Sequence, residues 1–209
     1  ILIVKTDSTG NEQWRRVINL GGVEYARNVI QTPDKGYLLG CYTYNEYYLS
    51  GDGVIIKLDS LGNTKWIKTL YGPNEDGCPI VALAKDSNYF VATSYAYITV
   101  FGAASDLKIQ ALKLNKNNGN TIWNKQYDTI RTFCYPRMIK VDNNDNPIIL
   151  GTEVLLENGN NYQSGFILKL NPNGDSVLFR TFYKYNDQFS NANLTNDFIL
   201  ADNKSIVVT

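Results

Sequence analysis

The side chains that carry chemistry say most here by what is missing. The chain of 209 residues contains no histidine. Ser-His-Asp and Cys-His nucleophile systems therefore lack their general base, and a zinc site with an imidazole ligand cannot form. The three cysteines, Cys41, Cys78 and Cys134, show no Cys-x-x-Cys spacing, which argues against a thiolate-only zinc site. Carboxylates remain. A glycosidase needs two of them about 5–9.5 Å apart, and Asp76, Asp106, Glu153 and Glu157 are the candidates in the polar stretches. They match no catalytic pattern and read as solvated loop charges. Asp142-Asn-Asn-Asp-Asn146 has the outline of a calcium loop but lacks its Gly and distal Glu, so a tight turn is expected there. Neither a catalytic residue, a metal nor a cofactor is expected within this chain.

The elements that would have to position any site are announced by a repeat. Its clearest copy is Val54-Ile-Ile-Lys-Leu-Asp-Ser-Leu-Gly-Asn-Thr-Lys-Trp66: an apolar run ending in Lys, an Asp/Asn-Gly turn, then an aromatic. The lysines are Lys5, Lys57, Lys113 and Lys169, separated by 52, 56 and 56 residues. The glycine and aromatic of each copy are Gly10 and Trp14, Gly62 and Trp66, Gly119 and Trp123, and Gly174 with Phe179 where Trp would stand. Recurrence at one structural phase points to packing between repeats rather than to ligand stacking. A fixed period of this size signals stacked or radial supersecondary units.

Within each period four short strands follow in the same order. The first has Ile1–Lys5, Gln13–Leu20, Ala26–Gln31 and Tyr37–Tyr42. Tight turns recur at Asp34-Lys-Gly, Asp86-Ser-Asn, Asp145-Asn-Pro and Asp202-Asn-Lys. Four antiparallel strands per repeat predict an all-β fold, a β-propeller with four-stranded blades and about four blades in this chain. The repeats run near 1–53, 54–108, 109–165 and 166–209. Cys78 and Cys134 each follow their repeat Lys by 21 residues and read as equivalent, small buried hydrophobes.

Charge is balanced, 20 Lys+Arg against 20 Asp+Glu. No basic stripe suggests nucleic acid, and no apolar run approaches the ~18 residues of a bilayer-spanning helix. The chain opens inside an apolar run, as a part of a longer or processed polypeptide would.

The Asp59-Ser-Leu-Gly-Asn-Thr-Lys-Trp66 element resembles the tryptophan-docking motif of quinoprotein-like propellers. The succession of Trp, Gly-Gly, Asp-x-Gly-Tyr and Lys-x-Asp-x-x-Gly resembles propeller repeats of exported Bacteroidota proteins, many of them type IX secretion cargo. That resemblance implies that the Lys run is the third strand of a blade and the Trp strand the fourth. The chain then holds three complete blades and two halves, which either complete each other in a four-bladed ring or belong to a larger propeller. The resemblance also implies an exported, surface or outer-membrane-associated binding or scaffold module that is not an enzyme. Its alternative is a quinoprotein-like or carbohydrate-active enzyme. Short turns fall at one end of the blades and long, dissimilar loops at the other. The long-loop face, with Tyr44, Tyr47, Tyr48, Tyr95, Tyr97, Phe101, Tyr162, Tyr185 and Phe189, is expected to contact protein or carbohydrate.

Overall fold

In the computed structural model the chain is described over residues 1–45, 50–70, 77–98, 104–127, 133–157, 160–183, 198–200 and 206–208. Every regular element among them is a β-strand. In chain order they are β1 (Leu2–Thr6), β2 (Glu12–Val17), β3 (Val23–Gln31), β4 (Tyr37–Asn45), β5 (Ser50–Leu58), β6 (Thr64–Leu70), β7 (Ile80–Leu83), β8 (Tyr89–Ile98), β9 (Ala104–Leu114) and β10 (Thr121–Tyr127). β11 (Phe133–Val141), β12 (Pro147–Glu157), β13 (Asn160–Leu170), β14 (Ser176–Tyr183), β15 (Phe198–Leu200) and β16 (Ile206–Val208) complete the set.

The strands form antiparallel meanders. β3-β4-β5-β6 is one four-stranded blade. β7-β8-β9-β10 and β11-β12-β13-β14 are two more, joined into one sheet by a single parallel bridge, Phe133 to Leu107. β1-β2 and β15-β16 are separate two-stranded sheets. The first is a third-and-fourth-strand half-blade and the second a first-and-second-strand half-blade. The fold is therefore an all-β propeller architecture, with three complete blades among the described residues.

Neighbouring blades are glued by apolar faces. Leu39, Cys41, Val54, Ile56 and Leu58 of the first complete blade meet Ile1, Ile3, Ile18 and Leu20 of the N-terminal half-blade. Its opposite face, with Leu38 and Ile55, packs on Val81, Tyr89 and Val91 of the second. The second and third blades share Phe90, Ala92, Ile109, Ile139, Phe166 and Leu168.

Between these faces each indole covers the glycine of the next blade's third-to-fourth turn. A Cβ on Gly62 would lie 3.0 Å from Trp14, on Gly119 2.9 Å from Trp66, and on Gly174 2.9 Å from Trp123. All three glycines have positive φ, so both the backbone and the ring above it call for the missing side chain.

The fourth copy departs from the expected pattern. Lys5, Lys57 and Lys113 lie opposite Trp14, Trp66 and Trp123, whereas Lys169 lies opposite Leu178. Leu178, not Phe179, holds the docking position. Phe179 lies opposite Leu168 and stacks on Phe166, 6.0 Å between centroids, facing the preceding blade. Side chains alternate along a strand, so one residue's difference in register reverses the face.

The first-to-second turns also shift by one residue. Lys35, Ser87 and Asp145 occupy the same left-handed position, φ 61–64°, each turn closed by a hydrogen bond from the residue four before the turn's end, as in Thr32 N to Gly36 O and Asp142 N to Asn146 O. Asp145 thus corresponds to Lys35, not to Asp34.

Candidate functional site

The repeated lysines are structural cations. Lys57, Lys113 and Lys169 each reach back from the third strand of a complete blade to a carboxylate in that blade's first-to-second turn. Lys57 Nζ lies 2.9 Å from Asp34, Lys113 Nζ 2.9 Å from Asp86 and Lys169 Nζ 2.7 Å from Asp142. Lys57 is buried, and also donates to Thr32 Oγ1 and the Leu58 carbonyl, as a desolvated ammonium requires. Burial works to raise the Asp34 pKa, but the Thr32 hydroxyl and the Lys57 ammonium hold it down at about 2. Asp142 is likewise held well below the usual carboxylate range, against its burial, by Lys169 and Asn146. These pairs fasten the turns and leave little reactivity for catalysis.

The expected loop aromatics are distributed differently from the sequence reading. Tyr44 and Tyr95 are half-buried strand residues of β4 and β8, opposite Gly51 and Lys108. Tyr97 and Tyr162 also lie on strands, β8 and β13. The second and third strands of each complete blade stay paired through segments expected to be loops, as far as Asn45 opposite Ser50, Ile98 opposite Ala104 and Glu157 opposite Asn160. Tyr and Thr suit extended pleated backbone, which is why these polar stretches stay in strand. Tyr42 illustrates the packing: a Cβ on Gly51 would meet its hydroxyl at 2.0 Å. Tyr47, Tyr48, Phe101, Tyr185 and Phe189 lie outside the described residues, as does Asp76.

Glu153 is not a solvated loop charge. It is fully buried on β12, opposite Cys134 on one side and Ser164 on the other, and accepts a 2.9 Å hydrogen bond from the Ser164 hydroxyl. Cys134 and Cys78 are not equivalent either. Cys134 precedes the irregularity of its innermost strand by three residues, whereas Cys78 lies immediately beside the corresponding point, before Pro79. Among the described residues no disulfide joins the three cysteines, of which Cys41 and Cys134 are buried. Burial pushes Cys41 up to about 12 and Cys78 up to about 11, so neither is an activated nucleophile.

One constellation escaped the sequence reading. The innermost strands β3 and β11 each carry a β-bulge, between Ala26 and Asn28 and between Pro136 and Met138. The extra residues are Arg27 and Arg137. A bulge re-aims the side chain it inserts, and both bulges insert an arginine. Each arginine follows a tyrosine by two: Tyr25-Ala-Arg27 and Tyr135-Pro-Arg137. Arg27 and Tyr25 are exposed. The Arg137 guanidinium lies 5.9 Å from the centre of the Tyr135 ring, and Tyr25 lies 6.4 Å from Tyr42. Burial and then the positive charge of Arg27 lower the Arg137 pKa from its ordinary value. The two arginines of non-adjacent blades therefore share one electrostatic neighbourhood near the hub. The signal was present in the sequence as a Tyr-x-Arg repeat, at a phase different from the one the lysines mark. Such a pair presents planar donors for an anion beside flat, polar-tipped rings.

Among the described residues no group of three His, Cys, Asp or Glu could hold a metal ion, and no helix is long and apolar enough to cross a membrane.

No family model and no curated protein matches the sequence. Among solved structures, the chain is similar to a thermostable family-43 glycoside hydrolase, at 7% identity and a TM-score of 0.45, over 71% of this chain and 51% of that one. The chain thus spans about half the length of the matched structure. One expectation is corrected by this finding: the chain was read as not an enzyme, the protein found similar to it is one, and the non-enzymatic assignment is withdrawn. At this level of likeness neither active-site residues nor substrate are transferred.

Proposed function

We propose that this chain is a ligand-binding propeller segment whose recognition site lies at the hub, and that its ligand is an acidic carbohydrate. The observation that carries the reading is the Tyr-x-Arg element set on a β-bulge of the innermost strand in two blades. Arginine's planar fork matches a carboxylate or sulfate. A tyrosine ring offers an apolar face to a sugar and a hydroxyl to its rim. Rigid strands on both sides hold these groups in place. Display on an exported protein belongs to the same proposal and is supported by the repeat's resemblance to exported propellers.

Isothermal titration with an oligogalacturonate and with a neutral galactose oligomer of the same length tests the reading. The acidic chain should bind and the neutral one should not. Arg27→Gln with Arg137→Gln should weaken binding by about tenfold or more, since a charge-assisted hydrogen bond contributes roughly 1.5–3 kcal/mol. Equal affinity for both oligomers, or binding indifferent to the double substitution, would sink the assignment.

A further inference from the structure

The blade between the two arginines departs from them at the same level. On β3, Tyr25 lies opposite Tyr42 and Asn28 opposite Gly40, three steps against two. On β11, Tyr135 lies opposite Thr152 and Met138 opposite Leu150, again three against two. In the middle blade the Gly77 amide donates to the Ser94 carbonyl and Ile80 lies opposite Ala92. The count is the same, so Gly77 stands where the other blades have tyrosine and Pro79 where they have arginine.

Both exchanges remove a projecting side chain. A Cβ on Gly77 would meet Cβ and Oγ of Ser94 at 2.8 Å, so a ring there would collide. Pro79 is buried, and its carbonyl oxygen lies 2.1 Å from where a Cβ on Gly40 would be. The middle blade therefore offers neither ring nor guanidinium at the level where its neighbours offer both.

β7 stands between the two strands that carry the arginines. β3 touches it through Asn28, whose side chain bonds the Val81 carbonyl at 3.0 Å and the Val81 amide at 3.2 Å. β11 packs on it through Ile139, in one cluster with Ile80 and Ala82. Packed sheets lie about 10 Å apart, so each arginine stands about one such spacing from the space over Pro79. After burial, the charge of Arg27 is what lowers the Arg137 pKa, and the same charge opposes the burial that raises Cys78. Among the described residues neither guanidinium has a carboxylate within ion-pair distance. Arg137 is half-buried, and a cation taken part-way out of water without a partner is costly. The space between the arginines calls for an anion.

We infer that Arg27 and Arg137 close on one tetrahedral oxyanion, the sulfate or phosphate ester of a single sugar, seated over residues 77–79. The inference rests on the acidic-carbohydrate reading and narrows its acidic group. A carboxylate has two oxygens in one plane, and one guanidinium fork fills them. An ester of sulfate or phosphate carries three terminal oxygens on a tripod. Forks arriving from opposite sides then each find a pair of acceptors, with one oxygen shared.

Isothermal titration of the 209-residue chain with galactose 6-sulfate, galactose 6-phosphate and galacturonic acid is the test, each ligand having one acidic group. One ester should bind per chain, about tenfold or more tighter than galacturonic acid. The tighter of the two esters identifies the source, a sulfated glycan or a sugar phosphate. Arg27→Gln and Arg137→Gln should each, alone, weaken ester binding by about tenfold or more, with a melting curve to certify the fold. Arg137→Lys keeps the charge and the stem but not the fork; it should also lose ester binding, and it serves where Arg137→Gln does not fold. Two esters per chain, an ester no tighter than galacturonic acid, or ester binding indifferent to either single substitution would overturn the clamp and leave the acidic-carbohydrate reading standing. Failure of all three acidic sugars to bind would overturn both.

Discussion

A single methyl group placed at Gly119 and at Gly10 distinguishes blade docking from turn strain. Both glycines lie at positive φ in third-to-fourth turns, 70° for Gly119 and 90° for Gly10, the Gly119 turn being one residue longer. Alanine in a left-handed conformation costs roughly 1–2 kcal/mol at either site. At Gly10 nothing else is asked of the new Cβ, since nothing lies within 4 Å. At Gly119 it would stand 2.9 Å from both Cε3 and Cζ3 of Trp66. The indole is wedged between blades, so it must shift, and such overpacking costs about 1–3 kcal/mol more. Gly10→Ala should therefore lose about 1–2 kcal/mol and Gly119→Ala about 2–5 kcal/mol. Urea unfolding followed by far-ultraviolet circular dichroism reads the difference as a midpoint gap of roughly 0.5 M or more. Equal losses at the two sites would refute the docking argument, because strain alone would then account for both.

The remaining predictions concern the turn carboxylates and the thiols. Asp34 has its folded pKa lowered from 3.8 to about 2, so its contribution to stability is fully present above about pH 4 and is lost as pH falls toward 2. Asp34→Asn should flatten stability over that window, and adding Thr32→Asp should restore it, because Asp142 holds Lys169 from the position Thr32 occupies; a double variant no steadier than the single one would contradict the equivalence of these turns. Cys41 and Cys134 are buried and Cys78 has a raised pKa, so aromatic disulfide reagents at pH 8 should react slowly with the native chain and fully in urea. Rapid native labelling of all three would be incompatible with this packing.

The fold was legible because its strongest signal is a physical necessity. A buried ammonium at Lys57 needs a carboxylate, the turn glycines need room for an indole, and both needs recur once per blade. Where reading failed, the measure was taken from the wrong landmark. Looking for an aromatic put Phe179 in the docking position, while counting four residues from the turn glycine gives Trp14, Trp66, Trp123 and Leu178. The glycine is the better ruler because the indole rests on a glycine of this kind, whereas the lysine is separated from it by a turn of variable length. The arginines escaped for a related reason. A bulge adds one residue to a strand without changing its composition, so no periodicity marks Arg27 or Arg137 as turned out of the ladder. Only pairing in three dimensions, with Ala26 and Asn28 opposite adjacent residues of β4 and Arg27 between them unpaired, reveals that the same insertion was made twice. The scaffold is written in repeated residues, and the site in departures from the repeat. That division follows from the energetics: blade contacts must agree from one copy to the next to pack, while a side chain aimed at the hub is free to differ.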